Sequence, residues 1–307
     1  MNGLGQALED YMCLRRAAGY SPERLRGQLE DFVGYMGATG EAIVSVRSAL
    51  AWATDPAKTT NCWSARLSAV RGFARYLKSF DDAHEVPPRG LLPPDAGRQV
   101  PYLYSPGEVA GLMGAARRLS PRLLGATMEA LIGLLAATGL RPGEAYALER
   151  ADVDFDAPAL AVRAYKAGGS RLIPLHPSSA HALRAYGEER DQLLAGPGGP
   201  RFFVFRQGEG HSRFRAPAVF AHLLADAAVA APPGRRRPRL YDLRHSFAVA
   251  TLATWHGEGA DVGPRLPVLS AYMGHKKPKE TYWYLESAPE LMALVARRLE
   301  RSLGEAP

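Results

Sequence analysis

Four short stretches of this chain carry residue types suited to one kind of chemistry. Thr138-Gly139-Leu140-Arg141-Pro142-Gly143-Glu144 puts an arginine just past an apolar helical run, with an acid three residues on. Tyr165-Lys166-Ala-Gly-Gly-Ser-Arg171 puts a lysine where a hairpin would turn. Tyr241-Asp242-Leu243-Arg244-His245 places two rings and a guanidinium within about one helical turn. Met273-Gly274-His275 is followed nine residues later by Tyr284. A guanidinium is always charged and grips phosphate oxygens through paired hydrogen bonds. A phenol, with an ordinary pKa of about 10, becomes a nucleophile only in a cationic site or beside a base. Imidazole and a lysine ammonium can move protons near neutrality. Such a set has what side chains need to break a phosphodiester: charge stabilisation, a nucleophile and an acid for the leaving oxygen. Each residue alone also has an ordinary reading: a surface ion pair, a solvated loop lysine, a helix cap.

The elements that must position these residues are mostly helices. Residues 1–80 read as a helical segment. Ser21-Pro22 has the form of a helix start, followed by Leu25, Leu29, Phe32 and Val33 at helical spacing. A later helix near Thr60-Asn61 carries Trp63, Leu67, Val70, Phe73, Tyr76 and Leu77 on one face. Arg66, Arg71, Arg75 and Lys78 are expected on its other, basic side. Residues 81–100 hold four prolines and two glycines and are expected to be a linker. Beyond it, Ser105 to Glu108 has capping-box spacing, a helix follows Ser120-Pro121, and Gly139 is placed to end it. Val153, Phe155, Leu160, Val162 and the run Arg171–Leu175 suggest short antiparallel strands. Helices are then expected over 178–195, 216–229, 242–256 and 289–303. The fold expectation is mainly α: a helical N-terminal domain at 1–80, the Pro-rich linker at 81–100, and a helical domain with a small antiparallel β-sheet at 101–307.

Composition narrows the partners. The chain has 307 residues, 47% apolar and 22% charged, with a net charge of +7. Residues 1–100 hold 12 Lys/Arg against 11 Asp/Glu, and residues 101–307 hold 26 against 20, so the excess lies in the second segment. That balance fits an anionic partner. The densest cluster, Arg235-Arg236-Arg237-Pro238-Arg239, reads either as a solvated loop or as a strip that touches phosphates. No apolar run reaches membrane-spanning length, and the first residues lack the apolar core of a signal peptide. Cys13 and Cys62 are too few for a disulfide scaffold or a four-thiolate zinc site, and are expected to be buried or half-buried thiols in a reducing cytoplasm. Neither a zinc-ligand cluster nor a nucleotide-type glycine loop is present, so no cofactor is expected.

Taken in order, the Arg141 motif, the hairpin Lys166, the Arg244 box, Gly274-His275 and the spaced Tyr284 resemble the tyrosine recombinase (phage integrase) family. Thr281-Tyr282-Trp283-Tyr284-Leu285 looks most like transposon-borne integrases of the recombinase-in-trio kind. The strong part of the resemblance covers roughly 101–300. The N-terminal segment matches as a helical core-binding (SAM-like) domain. The resemblance implies a site-specific DNA recombinase whose two domains clamp a specific duplex site. Arg141 and Arg244 would hold the scissile phosphate. Tyr284 would attack it to form a 3′-phosphotyrosine, rather than the rival Tyr282. Lys166 would protonate the 5′-oxygen, and His275 would bond the phosphate or move protons. Glu144 is expected to orient an arginine or cap a helix. The amphipathic 289–303 segment would dock on a neighbouring protomer, building a homo- or hetero-tetramer around a four-way DNA junction. The expected location is the cytoplasm, on DNA.

One position departs from the pattern. The box normally opens with histidine three residues before its arginine, and here Tyr241 fills that slot. A phenol hydroxyl can donate to phosphate but cannot serve as a neutral-pH base. His245 follows Arg244 and is expected to point elsewhere on the helix. Two rival activities therefore stay open: a poorly cleaving DNA-binding partner subunit, and a type IB topoisomerase.

Overall fold

The computed structural model describes residues 3–20, 23–57, 62–93, 100–163, 170–194, 199–205, 215–275 and 280–282. The chain divides into two compact units, Met1–Gln99 and Val100–Pro307. Ser21-Pro22, Thr60-Asn61, the hairpin tip with Lys166, Tyr284 and the 289–303 segment lie outside the described residues.

The first unit contains four helices among its described residues: α1 (Leu4–Ala17), α2 (Glu23–Thr39), α3 (Val46–Ala53) and α4 (Trp63–Lys78). Leu29, Phe32, Val70 and Phe73 are fully buried at its centre, as the helical spacing predicts. The basic face expected on α4 is only half there. Arg75 and Lys78 are exposed, but Arg66 is buried. Its guanidinium lies 3.7 Å from the Trp52 ring centroid, donates to the Trp52 carbonyl (2.7 Å) and pairs with Asp31 (3.2 Å). Stacking on the Trp52 ring and bonds at both terminal nitrogens offset the loss of water, so the guanidinium packs where periodicity assigns it to solvent. Arg71 is also engaged, holding the Pro87 and Pro88 carbonyls at 2.7 and 3.0 Å. The opening of the Pro-rich stretch is therefore tied to this unit. His84 and Glu85 add to the tie, since Val44 N–H donates to His84 Nδ1 (3.0 Å) and Glu85 N–H donates to the Val44 carbonyl (2.8 Å). Both cysteines are exposed, contrary to the expectation of buried thiols. Cys13 follows the buried Met12 on α1 and Cys62 directly precedes α4, so neither side chain falls on a core-facing position.

The second unit is built around α6 (Arg122–Thr138), whose Met128, Leu131, Ile132 and Leu135 are fully buried. It packs beside α5 (Pro106–Arg117), α8 (Pro177–Leu193) and α10 (Leu240–Gly257). α5 opens with the predicted capping box, in which Glu108 N–H donates to Ser105 Oγ and Ser105 N–H donates to Glu108 Oε2. α6 ends at Gly139 with φ +61°, the left-handed conformation that terminates helices. A short α7 (Pro142–Ala147) follows, then the strands β1 (Val153–Asp154), β2 (Ala159–Val162) and β3 (Arg171–Pro174). They pair antiparallel in the order β1-β2-β3, with Leu160 opposite Ile173. α9 (Arg215–Asp226) precedes α10. α11 (Arg265–Met273) packs Leu266, Leu269 and Met273 against Leu252 and Val249 of α10. The α11 helix goes beyond the sequence expectation. Pro267 falls in its first turn, where a missing N–H costs no helical bond.

Candidate active site

Three arginines from three elements converge on one short turn. Arg141 N-caps α7, Arg171 opens β3 and Arg244 lies in the second turn of α10. All three donate to the carbonyls that end α11. Arg171 Nε donates to the Tyr272 carbonyl (2.9 Å) and Arg244 Nη2 to that of Met273 (2.7 Å). Arg141 reaches the Met273 and Gly274 carbonyls at 3.3 and 2.8 Å. The last-turn carbonyls of a helix have no partner inside it, and they carry the negative end of its dipole. Cationic donors meet both needs. Gly274 makes this possible: its φ of +66° turns the chain, and a Cβ there would fall 2.7 Å from Arg171 Nη1. His275 follows directly, and its Nδ1 pairs with the Thr281 hydroxyl at 2.6 Å.

Glu144 organises the same cluster from α7. Its carboxylate takes a bidentate bond from Arg171 (3.1 and 2.8 Å) and a further bond from Arg141 (3.0 Å). It also accepts from the Arg141 N–H, completing the α7 cap. Glu144 is thus both cap and arginine holder. Burial pushes the Glu144 carboxyl upward, but the Arg171 and Arg141 guanidiniums outweigh that and hold it below the usual carboxylate range.

Of the residues singled out in the sequence, the structure brings together Arg141, Tyr241, Arg244 and His275. Arg141 and Arg244 share the Met273 carbonyl. Tyr241 opens α10 three positions before Arg244 and lines one cavity of about 580 Å³ with Arg141. Arg141 keeps 30% of its side chain exposed, whereas Arg244 is fully buried and also donates to the Gly139 carbonyl (2.7 Å). The expectation that His245 points away from this group is corrected. Its ring lies edge-on to Tyr241, 5.2 Å between centroids, because residues four apart share a helix face. Tyr282 is exposed beside the buried Thr281.

Arg171 is the site residue to which the sequence reading assigned no role. A signal was available in β3: Arg171 and Ile173 alternate inward while Leu172 is exposed, the reverse of the usual polarity. Among the described residues, no group of three His, Cys, Asp or Glu is placed to hold a metal, and no helix is long and apolar enough to cross a membrane.

A mainly helical unit with a three-stranded antiparallel sheet, and an arginine cluster at the end of α11, define a class. Residues 105–290 match the phage integrase family. The chain is 38% identical to y4rB of Sinorhizobium fredii, named as an integrase/recombinase, over 98% of both chains. It is 30% identical to the tyrosine recombinase XerD of Caulobacter vibrioides, covering 95% of this chain and 94% of the relative. The fold is similar to lambda integrase solved as a tetramer on a Holliday junction (TM-score 0.63, 16% identity, 91% of this chain, 79% of that one). It is equally similar to the Tn1549 transposon integrase solved with transposon end DNA (TM-score 0.63, 14% identity, 96% and 98%). The chain belongs to the phage integrase family; it is a site-specific tyrosine recombinase acting on DNA.

Proposed function

We propose that this recombinase cuts one DNA strand through Tyr284 and rejoins it through the reverse reaction. The observation that carries the reading is the convergence of Arg141 and Arg244 on the Met273 carbonyl, beside His275. Two guanidiniums held together in this way match the two non-bridging oxygens of one phosphodiester. The Tyr284 phenolate attacks phosphorus, the P–O5′ bond breaks, and Lys166 protonates the departing 5′-oxygen. The product is a 3′-phosphotyrosine and a free 5′-hydroxyl. Its phosphodiester energy is conserved, so religation needs no nucleotide. Tyr241 donates its hydroxyl to the same phosphate in the slot where the family carries histidine.

The assembly reading follows from the same resemblance. The domains at 1–80 and 101–307 grip a duplex site, and the amphipathic 289–303 segment docks on a neighbouring protomer in a tetramer. Lambda integrase has been solved as a tetramer on a Holliday junction, which supports the reading. The likeness of the Thr281–Leu285 motif to transposon-borne, recombinase-in-trio integrases supports the reading that the chain acts on a mobile element in the DNA-bearing cytoplasm.

The test is covalent trapping on nicked duplexes from the ends of the encoding element. A denaturant-resistant, protease-sensitive adduct that disappears in Tyr284→Phe and persists in Tyr282→Phe is the expected result. Loss only in Tyr282→Phe overturns the choice of nucleophile. Tyr241 and the buried, carbonyl-bonded Arg244 favour one second reading, a poorly cleaving partner subunit. That reading predicts tight, specific DNA binding without adduct, and gain of adduct in Tyr241→His.

A further inference from the structure

The Arg141 guanidinium rests on two supports, the Glu144 carboxylate and the Met273 and Gly274 carbonyls at the end of α11. Arg171 grips both, through its fork on Glu144 and its Nε bond to the Tyr272 carbonyl. We propose that Arg171 is a positioning residue for the reaction: it occupies the Glu144 carboxylate, so that the charge of Arg141 stays available to a DNA phosphate. This rests on the reading of Arg141 as a phosphate ligand given above.

A carboxylate paired with a single guanidinium cancels its charge, and an anion then gains little from the pair. Here two guanidiniums share one carboxylate, so the three groups keep a net positive charge. Arg171 takes the larger share. It meets both carboxylate oxygens, at 3.1 and 2.8 Å, whereas the Arg141 guanidinium meets only Oε1, at 3.0 Å. Two parallel bonds are the stronger contact between these groups.

The two cations also differ in what they have left to offer. All three nitrogens of Arg171 are bonded within the protein, and its side chain is 17% exposed. Arg141 is the more exposed of the two. The inner cation is spent on the carboxylate, and the outer one can take a ligand.

The local structure is built to bring them together. β3 sets Arg171 opposite Val162, on the same side as the buried Ile173 and away from the exposed Leu172. Gly274 leaves the space. Arg171 Nη1 and Arg141 Nη1 lie 2.7 and 3.3 Å from the point where its Cβ would stand. Cations this close repel, and the shared carboxylate offsets the repulsion. An ion pair that only joined β3 to α7 would have no need of the second cation.

The experiment uses the full chain in a Tyr284→Phe background. Each phosphate of an element-end duplex is replaced in turn by a neutral methylphosphonate, and the loss of affinity is taken as a ratio of dissociation constants. Damage to the fold, or to DNA contacts elsewhere, weakens both duplexes alike and leaves that ratio unchanged. Arg141→Gln is expected to lower the ratio by about tenfold at one phosphate, the scale of a hydrogen bond between charged groups. At that phosphate Arg171→Gln is expected to lower it by about threefold or more, the scale of one unit charge a few ångströms away in water. Adding Glu144→Gln to Arg171→Gln removes the carboxylate that would cancel Arg141, and the ratio is expected to recover. Arg171→Lys keeps the cation without the fork and lowers the ratio by a smaller factor; it carries the test if Arg171→Gln does not fold.

A ratio equal to the parent's in every folded Arg171 variant overturns the proposal. So does a ratio that stays low in the double variant, because Arg171 would then be holding the phosphate itself. Either result, with the Arg141→Gln effect present, leaves the reading of Arg141 standing. A scan in which no phosphate responds to Arg141→Gln removes that reading and the proposal with it.

Discussion

Arg171 and Glu144, twenty-seven residues apart, meet through two parallel hydrogen bonds, Nη1 to Oε1 at 3.1 Å and Nη2 to Oε2 at 2.8 Å. The pair joins β3 to α7. Through Arg171 Nε and the Tyr272 carbonyl it also joins both to the end of α11. Arg141 touches this carboxylate as well, and Arg244 bonds the Met273 carbonyl next to the one that Arg171 holds.

Removing Arg171 takes the bidentate partner from the buried Glu144 carboxylate and leaves it the bonds from Arg141. Arg171→Ala is therefore expected to destabilise the second unit by less than the about 3–5 kcal/mol of a wholly unpaired buried charge. Arg171→Lys keeps the charge but cannot form the fork, so it is expected to recover stability more than turnover. Thermal melting and single-turnover cleavage on the same protein check this. Equal recovery of both by lysine would reduce Arg171 to a structural cation.

Glu144 makes that unit acid-sensitive. Its folded-state pKa is depressed, so its stabilisation is present above the unfolded carboxylate range near 4.5 and is lost as pH falls below it. Glu144→Gln is expected to be less stable than wild type at pH 7 and to show a shallower loss on acidification. Urea titrations between pH 7 and pH 3 measure both.

Gly274→Ala tests the turn. A left-handed backbone costs a non-glycine residue about 1–2 kcal/mol. The new methyl would meet the Arg171 guanidinium at 2.7–2.9 Å and Arg141 Nη1 at 3.3 Å. The side chains can swing away, so the fold is expected to survive while covalent adduct formation drops by at least tenfold. Adduct formation at the wild-type rate would show that the arginine positions are not set by this turn.

Gly139→Ala tests the other end of Arg244. Its Cβ would fall 2.4 Å from the Phe247 ring, and φ is +61°. Moving that ring or that backbone displaces the carbonyl that Arg244 Nη1 bonds. A stability loss larger than the left-handed cost of about 1–2 kcal/mol is expected by calorimetry. A smaller loss would mean that the α6–α10 contact is looser than the geometry implies.

His84 gives the first unit its own pH dependence. Burial lowers its pKa below the ordinary 6.5, outweighing the nearby Asp81 charge, and its Nδ1 must stay unprotonated to accept from Val44. The folded state therefore binds the proton less readily than the unfolded state. Its stabilisation is full above pH 6.5 and declines below that value. In His84→Phe the change in denaturation midpoint between pH 7.5 and pH 5.5 is expected to shrink. An unchanged dependence would assign it to other groups.

Much of the frame was legible because its signals are local. The Ser105–Glu108 box, the Gly139 stop and the β1–β3 strands each depend on residues within a few positions of one another. The family motifs likewise named Arg141, Arg244 and His275 as a set. What they could not supply was placement. The sequence pattern put Arg66 in solvent, yet stacking on Trp52 and bonding to Asp31 draw it inside. Nor did it bring out that His245, expected to point elsewhere on the helix than Arg244, sets its ring against Tyr241.

By itself, then, the sequence determined which residue types were available and where helices begin and stop, because backbone conformation and end-capping are short-range. Only the tertiary structure decided that Arg141, Arg171 and Arg244 share the carbonyls of residues 272–274. Arg141 and Arg171 reach those carbonyls across separations of 132 and 101 residues. Helix-end carbonyls cut off from water need donors, and any donor near in space will serve. Which side chains come near is settled by how α6, α7, β3, α10 and α11 pack around one core.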